Sequence, residues 1–196
     1  MKVLIVGGGI GGLVTALELE RLGIEAHVFE SVHEVKPLGV GINLLPHATK
    51  NLIHLGVGEP LMESGLQTKE LLYFNKHGQK LWSEPRGLDA GYRVPQISIH
   101  RGELQMILMR AARERLGERI HTGRHLKWFR HTDDGRIVAE FIRRETNEVV
   151  DEAVADVLVG RTAFIPPSGD SSIPAKVRRS GTACCSGGPQ SKRAVS

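Results

Sequence analysis

Residues 3–6, Val-Leu-Ile-Val, form an apolar run that stops at three glycines, and a second run, Ala26 to Phe29, stops at Glu30. Between them apolar residues recur at helical spacing. The pattern predicts a strand over Lys2–Val6, a helix over Ile10–Leu22 and a strand over Glu25–Glu30. A loop follows, carrying Gly39-Val40-Gly41-Ile42-Asn43, and then a helix from Pro46, which suits a first helical turn because it has no N–H to satisfy. Leu71–Phe74 and Lys80–Trp82 flank His77-Gly78 and read as a hairpin. Gln96–His100 reads as a strand. Arg101–Leu116 is a helix, with Leu104, Ile107, Leu108, Ala111 and Leu116 on one side. Beyond a short strand at Arg119–His121, the segments His125–His131, Arg136–Arg143 and Glu148–Ala153 are separated by Asp133-Asp134-Gly135 and Glu145-Thr146-Asn147. That is the pattern of a three-stranded antiparallel meander. Asp156–Val159 is a fourth, buried type of strand for the parallel sheet. The expected class is α/β, a Rossmann-like nucleotide-binding domain with a parallel sheet and a meander.

The turn after the first strand, Gly7-Gly8-Gly9-Ile10-Gly11-Gly12, has the G-x-G-x-x-G spacing. Gly7 allows the sharp turn, Gly9 lets a pyrophosphate approach the backbone, and Gly12 lets the helix pack closely. The phosphates would rest on the free N–H groups and positive dipole end of the helix. Glu30 stands near the spacing at which an acid accepts from ribose hydroxyls. It would repel a 2′-phosphate, which disfavours NADP here. The fingerprint alone leaves FAD and NAD open.

Composition narrows the remaining classes. The chain has 196 residues, 40% hydrophobic and 24% charged, enough for one core. No apolar run reaches the roughly 20 residues of a membrane span, and the first strand lacks a signal-peptide pattern. The expectation is a cytoplasmic chain without a membrane partner. The formal charge of +4 arises from residues 161–196, where six Lys or Arg accompany Asp170 alone. Those basic residues lack interleaved aromatics, so no nucleic-acid partner is expected. Cys184 and Cys185 are adjacent and have no metal-ligand spacing around them. From Arg161 onward Gly, Pro, Ser and Arg dominate, the composition of a disordered tail.

The order of the motifs carries a resemblance. Pro37-Leu-Gly-Val-Gly-Ile-Asn43, Trp82-Ser-Glu-Pro-Arg-Gly87 and the run from Pro95 through His100-Arg101-Gly102-Glu103-Leu104-Gln105 to Leu108 follow the fingerprint in sequence. Ala155-Asp-Val-Leu-Val-Gly160 comes after the meander. In this order residues 1–160 resemble the single-component FAD-dependent aromatic monooxygenases, and within them the phenazine-1-carboxylate type. The resemblance implies FAD as the cofactor, NADH or NADPH as co-substrate, and transfer of one oxygen atom from O2 to a small electron-rich aromatic ring. It implies flavin-side contacts from Arg101, against the alternative of an exposed helix-start arginine, and from Gln105, against a solvated glutamine. It gives Lys36 an adenosine or phosphate contact, against a surface lysine. Leu126 falls where the family lays backbone against adenine. Tyr73, Trp82 and Tyr92 are expected as hydrophobic filling rather than a substrate pocket, and His27, His47, His54 and His100 as packing or surface residues. Segments near 67–99 would begin the substrate domain. The oligomeric state is left open.

After Gly160 the family continues Ala-Asp-Gly-Ile-His-Ser-Ala-Val-Arg, whereas this chain reads Arg161-Thr-Ala-Phe-Ile-Pro-Pro-Ser-Gly-Asp170. Codons that encode the latter, displaced by one base, spell Ala-Asp-Gly-Ile-His-Ser-Ala-Val-Arg-Arg. The expectation is that residues 161–196 are out-of-frame translation, leaving the domain incomplete at its C-terminal side. The alternative to an active monooxygenase portion is then a catalytically inactive fragment retaining at most weak nucleotide binding. A free-standing NAD-binding domain is disfavoured by the Gly39-Val-Gly-Ile-Asn-Leu-Leu-Pro46 and His100-Arg-Gly-Glu-Leu-Gln105 motifs.

Overall fold

The computed structural model describes residues 1–160; the tail reading, with Cys184 and Cys185, lies outside the described residues. The chain runs β1 (Lys2–Val6), α1 (Ile10–Arg21), β2 (Glu25–Glu30), β3 (Gly41–Leu44), α2 (Pro46–His54), α3 (Gly58–Ser64), β4 (Leu66–Thr68), β5 (Glu70–Phe74), β6 (Lys80–Pro85), β7 (Gln96–His100), α4 (Arg101–Leu116), β8 (Ile120–Thr122), β9 (His125–His131), β10 (Ile137–Ile142), β11 (Val149–Ala155) and β12 (Val157–Gly160).

A parallel sheet in the order β12-β1-β2-β8 forms the centre. Its middle strand β1 is covered on both faces, which accounts for an uninterrupted apolar run instead of an alternating one. Side chains alternate across a strand. Val3 and Ile5 therefore face a helical layer with Leu13 and Leu17 of α1 and Leu104, Ile107 and Leu108 of α4. Leu4 points the other way, into a cluster with Phe29, Leu126, Ala139, Phe141 and Ala155. That second cluster is closed by the antiparallel meander β11-β10-β9. The turns of the meander use the residues their backbone requires: Gly135 has φ +80° and Asn147 φ +56°. Hydrogen bonds from Thr132 and Arg136 hold the Asp134 carboxyl down to about 2.

Part of the loop expected ahead of α2 is a strand. Gly41–Leu44 pairs antiparallel with β7, with Ile42 opposite Ile99 and Asn43 opposite Ser98, because alternation in this short stretch sends Ile42 and Leu44 onto the helical cluster. β4 pairs on the other side of β7. Helix α3 buries Leu61 beneath α2 and α4, and its seven residues are too few for a periodic signal. The hairpin β5–β6 is present, but Tyr73, Trp82 and Tyr92 are 52%, 49% and 58% exposed. They are not filling, since about half of each side chain is open to solvent. Tyr73 and Trp82 instead lean on each other across the strands, with ring centroids 5.6 Å apart.

A ring stack runs through the meander face of the sheet. His121 lies against Phe29 at 4.5 Å, and Phe29 against Phe141 at 4.0 Å. His27 approaches His121 at 3.1 Å and Glu25 at 2.9 Å. Burial, and then the neighbouring His27, hold His121 below the ordinary histidine value of 6.5, while Asp151 pulls the other way. The unfolded chain therefore binds this proton more readily than the folded one, and stability falls as pH drops below that ordinary value. The carboxyls of Glu25 and Glu140 are held below 4.5 by hydrogen bonds from His27 and Lys127, so their contribution is lost only at lower pH. Between about pH 7 and pH 5 the urea midpoint is expected to decline, and His121→Phe to flatten that decline. An unchanged slope in the variant would exclude His121 as its source.

Candidate functional site

The mouth of the site is built where β1 hands over to α1. Gly7 turns the chain with φ +109°, and its N–H donates to Phe29 O at 2.8 Å. An alanine Cβ at Gly12 would sit 2.0 Å from the carbonyl oxygen of Gly7, so this glycine is fixed by packing. Gly9 is different. It has φ −76° and ψ 175°, which any residue adopts, and an added Cβ would meet nothing within 4 Å. No neighbour within the described chain requires a glycine there.

Gly9 is the N-cap of α1, with no side-chain cap and no acidic residue in the first turn. The free N–H groups and the positive end of the dipole are thus left for an external anion. Glu30 closes one side. Its Oε2 accepts from Gly8 N at 2.6 Å, and its Oε1 accepts from the Ser31 hydroxyl and Val32 N, each at 3.0 Å. Fixed this way, the carboxylate keeps lone pairs for hydroxyl donors.

Helix α4 brings in the other side. Gln105 Nε2 donates to Gly8 O at 3.0 Å, so it touches the fingerprint loop directly. One turn earlier, Arg101 is exposed. Its stem lies against Gly39, where an added Cβ would come within 3.1 Å of Arg101 Cβ, and its Nη1 is 3.5 Å from Leu38 O. The 37–40 loop is pressed onto this helix start. A Cβ at Gly102 would come within 2.4 Å of the Pro37 carbonyl carbon. Lys36 is exposed and pairs with Glu34 at 3.7 Å. Leu126 is buried at the Phe29–Phe141 cluster, so only its backbone could meet a ligand.

Gly7, Gly9, Gly12, Glu30 and Gln105 therefore converge, Arg101 lies one turn before Gln105, Lys36 pairs with Glu34, and Leu126 packs in the cluster with Phe29. Gly8 and Gly102 were not singled out in the sequence. The immediate sequence Glu30-Ser31, a hydroxyl donor next to the acid, was an available sign of the braced carboxylate. His47, His54 and His100 are exposed, and His100 Nε2 lies 3.0 Å from Gly39 O. Among the described residues no cluster of His, Cys, Asp or Glu could hold a metal, and no helix is long and apolar enough to cross a membrane.

A parallel sheet with a capless glycine turn at β1–α1 and an acid ending β2 defines a dinucleotide-binding α/β domain. The chain belongs to the FAD binding domain family, which it matches over residues 1–161. It is 52% identical over 135 residues to phenazine 1,6-dicarboxylic acid hydroxylase PhzS of Lysobacter antibioticus, a match covering 68% of this chain and 33% of that protein. It is 30% identical over 163 residues to 3-hydroxybenzoate 6-hydroxylase of Klebsiella oxytoca, covering 82% of this chain and 39% of the relative. The chain thus spans well under half the length of these two relatives. Among solved structures, Klebsiella pneumoniae HpxO complexed with FAD and uric acid superposes with a TM-score of 0.62 at 25% identity, over 81% of this chain and 38% of that one. The chain is therefore an FAD-binding domain, similar to the corresponding portions of these two hydroxylases.

Proposed function

We propose that this chain is the cofactor-binding portion of a flavin-dependent monooxygenase that hydroxylates a small aromatic, phenazine-like ring with NAD(P)H and O2. The reading is carried by Gly9, a glycine that neither backbone conformation nor packing explains, at the mouth of an uncapped helix beside Glu30. The approach of a pyrophosphate supplies the reason. The likeness to the phenazine dicarboxylate hydroxylase supports the substrate class.

FAD supplies the redox and oxygen chemistry when bound; the chain binds and orients it. The α1 N-terminus would receive the pyrophosphate and Glu30 the ribose hydroxyls. Arg101, a permanently charged donor fork, would serve the ribityl-phosphate side, with Gln105 one turn on joining the site at the Gly8 carbonyl. Lys36 would lie at the adenosine edge, and the backbone of Leu126 would flank adenine. The hairpin within 67–99, with Tyr73 and Trp82 exposed, would begin the substrate side. Use of NAD(P)H as reductant would suit a cytoplasmic site for this activity.

Purified full-length chain is expected to take up FAD, seen as visible flavin absorbance, and then to oxidise NAD(P)H when a phenazine carboxylate is added. A colourless chain that takes up no added FAD would overturn the reading. A second reading, nucleotide binding without turnover, draws on the displaced-frame run after Gly160. Yellow protein without substrate-dependent oxidation, together with a one-base loss on resequencing the locus, would favour it.

Glu30 offers a sharper check on the ribose end. Glu30→Gln keeps an acceptor but removes the charge that repels a 2′-phosphate. The preference for ADP over its 2′-phosphorylated analogue is expected to shrink roughly tenfold, about 1.4 kcal/mol. Equal preference in both proteins, measured by calorimetry, would remove Glu30 from the ribose site.

A further inference from the structure

Gly8 is not one of the three glycines of the fingerprint, yet side chains hold both of its backbone polar groups. Its N–H donates to Glu30 Oε2 at 2.6 Å and its carbonyl accepts from Gln105 Nε2 at 3.0 Å. The braces come from the end of β2 and the first turns of α4, 22 and 97 residues away along the chain. Gly8 is buried between them, while Glu30 and Gln105 are half-buried. Three glycines in a row have no Cβ to restrict them, and glycine loses more conformational freedom on ordering than any other residue. Left alone, such a loop would present its N–H groups in many directions, and a ligand would have to bear the cost of ordering it.

Planarity turns the brace into an aim. The peptide joining Gly8 and Gly9 is planar and trans, so its carbonyl and its N–H point to opposite sides. With the carbonyl held toward α4, the N–H of Gly9 is turned away from α4. Glu30 fixes the preceding peptide in the same manner through Gly8 N–H, and Phe29 O fixes the one before through Gly7 N–H.

We infer that Gln105 is a positioning residue: it orients the Gly8–Gly9 peptide, so that the loop meets a nucleotide pyrophosphate with its N–H groups already aimed. This rests on the proposed nucleotide site and gives one of its members a role exerted through Gly8 rather than by gripping the flavin.

The test uses the full chain and two ligands, FAD and ADP, titrated against wild type and Gln105→Met, which keeps the length and loses the donor. ADP carries the pyrophosphate and adenosine but no ribityl or flavin. Both affinities are expected to fall by the same factor, about fivefold to tenfold, the effect of one amide–carbonyl hydrogen bond. In the ligand-free chain, hydrogen exchange at the Gly8 amide, which donates to Glu30, is expected to quicken while the melting temperature holds. Loss of FAD affinity with ADP affinity intact would overturn the inference, because Gln105 would then touch the flavin side itself. No change in either ligand would also overturn it. If wild type binds neither ligand, the nucleotide reading fails, and Gly8 exchange alone decides the brace: unchanged exchange overturns it and faster exchange upholds it. Should the Met variant not fold, Gln105→Asn, one methylene short of Gly8 O, is read by the same outcomes.

Discussion

Alanine at Gly12 is expected to disrupt the domain, while alanine at Gly9 is expected to leave it folded and to weaken only its hold on a nucleotide. The two glycines are three residues apart and belong to one motif, but their surroundings differ. At Gly12 a Cβ would lie 2.0 Å from the carbonyl oxygen of Gly7, 3.2 Å from its carbonyl carbon and 3.3 Å from Ile5 Cγ2. The first of these is backbone, so nothing can swing aside; either α1 moves off the sheet or the turn at Gly7 is remade. Overpacking of this kind costs about 3 kcal/mol, and the better helix propensity of alanine returns roughly 1 kcal/mol. The net loss, about 2 kcal/mol, corresponds to a melting temperature lower by roughly 4–8 °C for a domain of this size. FAD binding should be lost with it, since the displaced elements are the ones that form the mouth. At Gly9 an added Cβ meets nothing within 4 Å, so melting should match wild type while FAD affinity falls at least about tenfold, or 1.4 kcal/mol. Differential scanning calorimetry and flavin titration separate the cases. Equal melting of Gly12→Ala and wild type would contradict the packing assigned to α1, and undiminished FAD affinity in Gly9→Ala would remove the reason proposed for that glycine.

That contrast also marks how far the sequence could be read. The spacing of Gly7, Gly9 and Gly12 announces a phosphate loop, but a motif assigns its glycines together. Only the folded structure separates a glycine required by φ, at Gly7, from one required by packing, at Gly12, and one unexplained by either, at Gly9. Elements with strong local signals were legible: β1, β2, β7, α4 and β9 have the boundaries expected from periodicity and turn residues. The parallel role of the strand before Gly160 was legible too, as β12 pairs with β1. Strands β3 and β4 were not, because each is held by a distant partner, β7, and carries little periodicity of its own. The bracing of Gly8 by Glu30 and Gln105 was equally hidden, being a contact between residues 97 apart in one case. Tyr73, Trp82 and Tyr92 show the opposite failure. Their composition suggests a core, but whether an aromatic is buried depends on what lies over it, which no local pattern contains.

The other large effect is expected at Phe141. Its ring is fully buried and stacks on Phe29 at 4.0 Å with the planes 9° apart. Phe29 belongs to β2 and Phe141 to β10, so this contact joins the nucleotide sheet to the meander. Leu4, Leu126, Ala139 and Ala155 complete the cluster, and all but Leu4 and Phe29 come from the meander side. The helical cluster on the other face shares none of these residues. Phe141→Ala removes a large ring from a small core whose remaining buried members are mostly leucine and alanine, which cannot spread to fill the space. The expected loss is about 4 kcal/mol, enough to lower the melting temperature by roughly 10 °C. Its distribution should be uneven. Hydrogen-exchange protection is expected to collapse across β9–β11 while β1, α1 and α4, packed on the opposite face, retain theirs. Phe141→Leu, which leaves a smaller cavity, should lose less than half as much stability. The functional consequence follows from Leu126, which sits in β9 directly opposite Phe141 and whose backbone is proposed to flank adenine. FAD affinity should therefore fall in step with meander protection, even in a chain whose glycine loop is intact. Uniform loss of protection over both faces would show that the meander is not a separate cooperative unit. Full FAD affinity alongside an unprotected meander would show that the adenine end is held by the glycine loop and Glu30 alone.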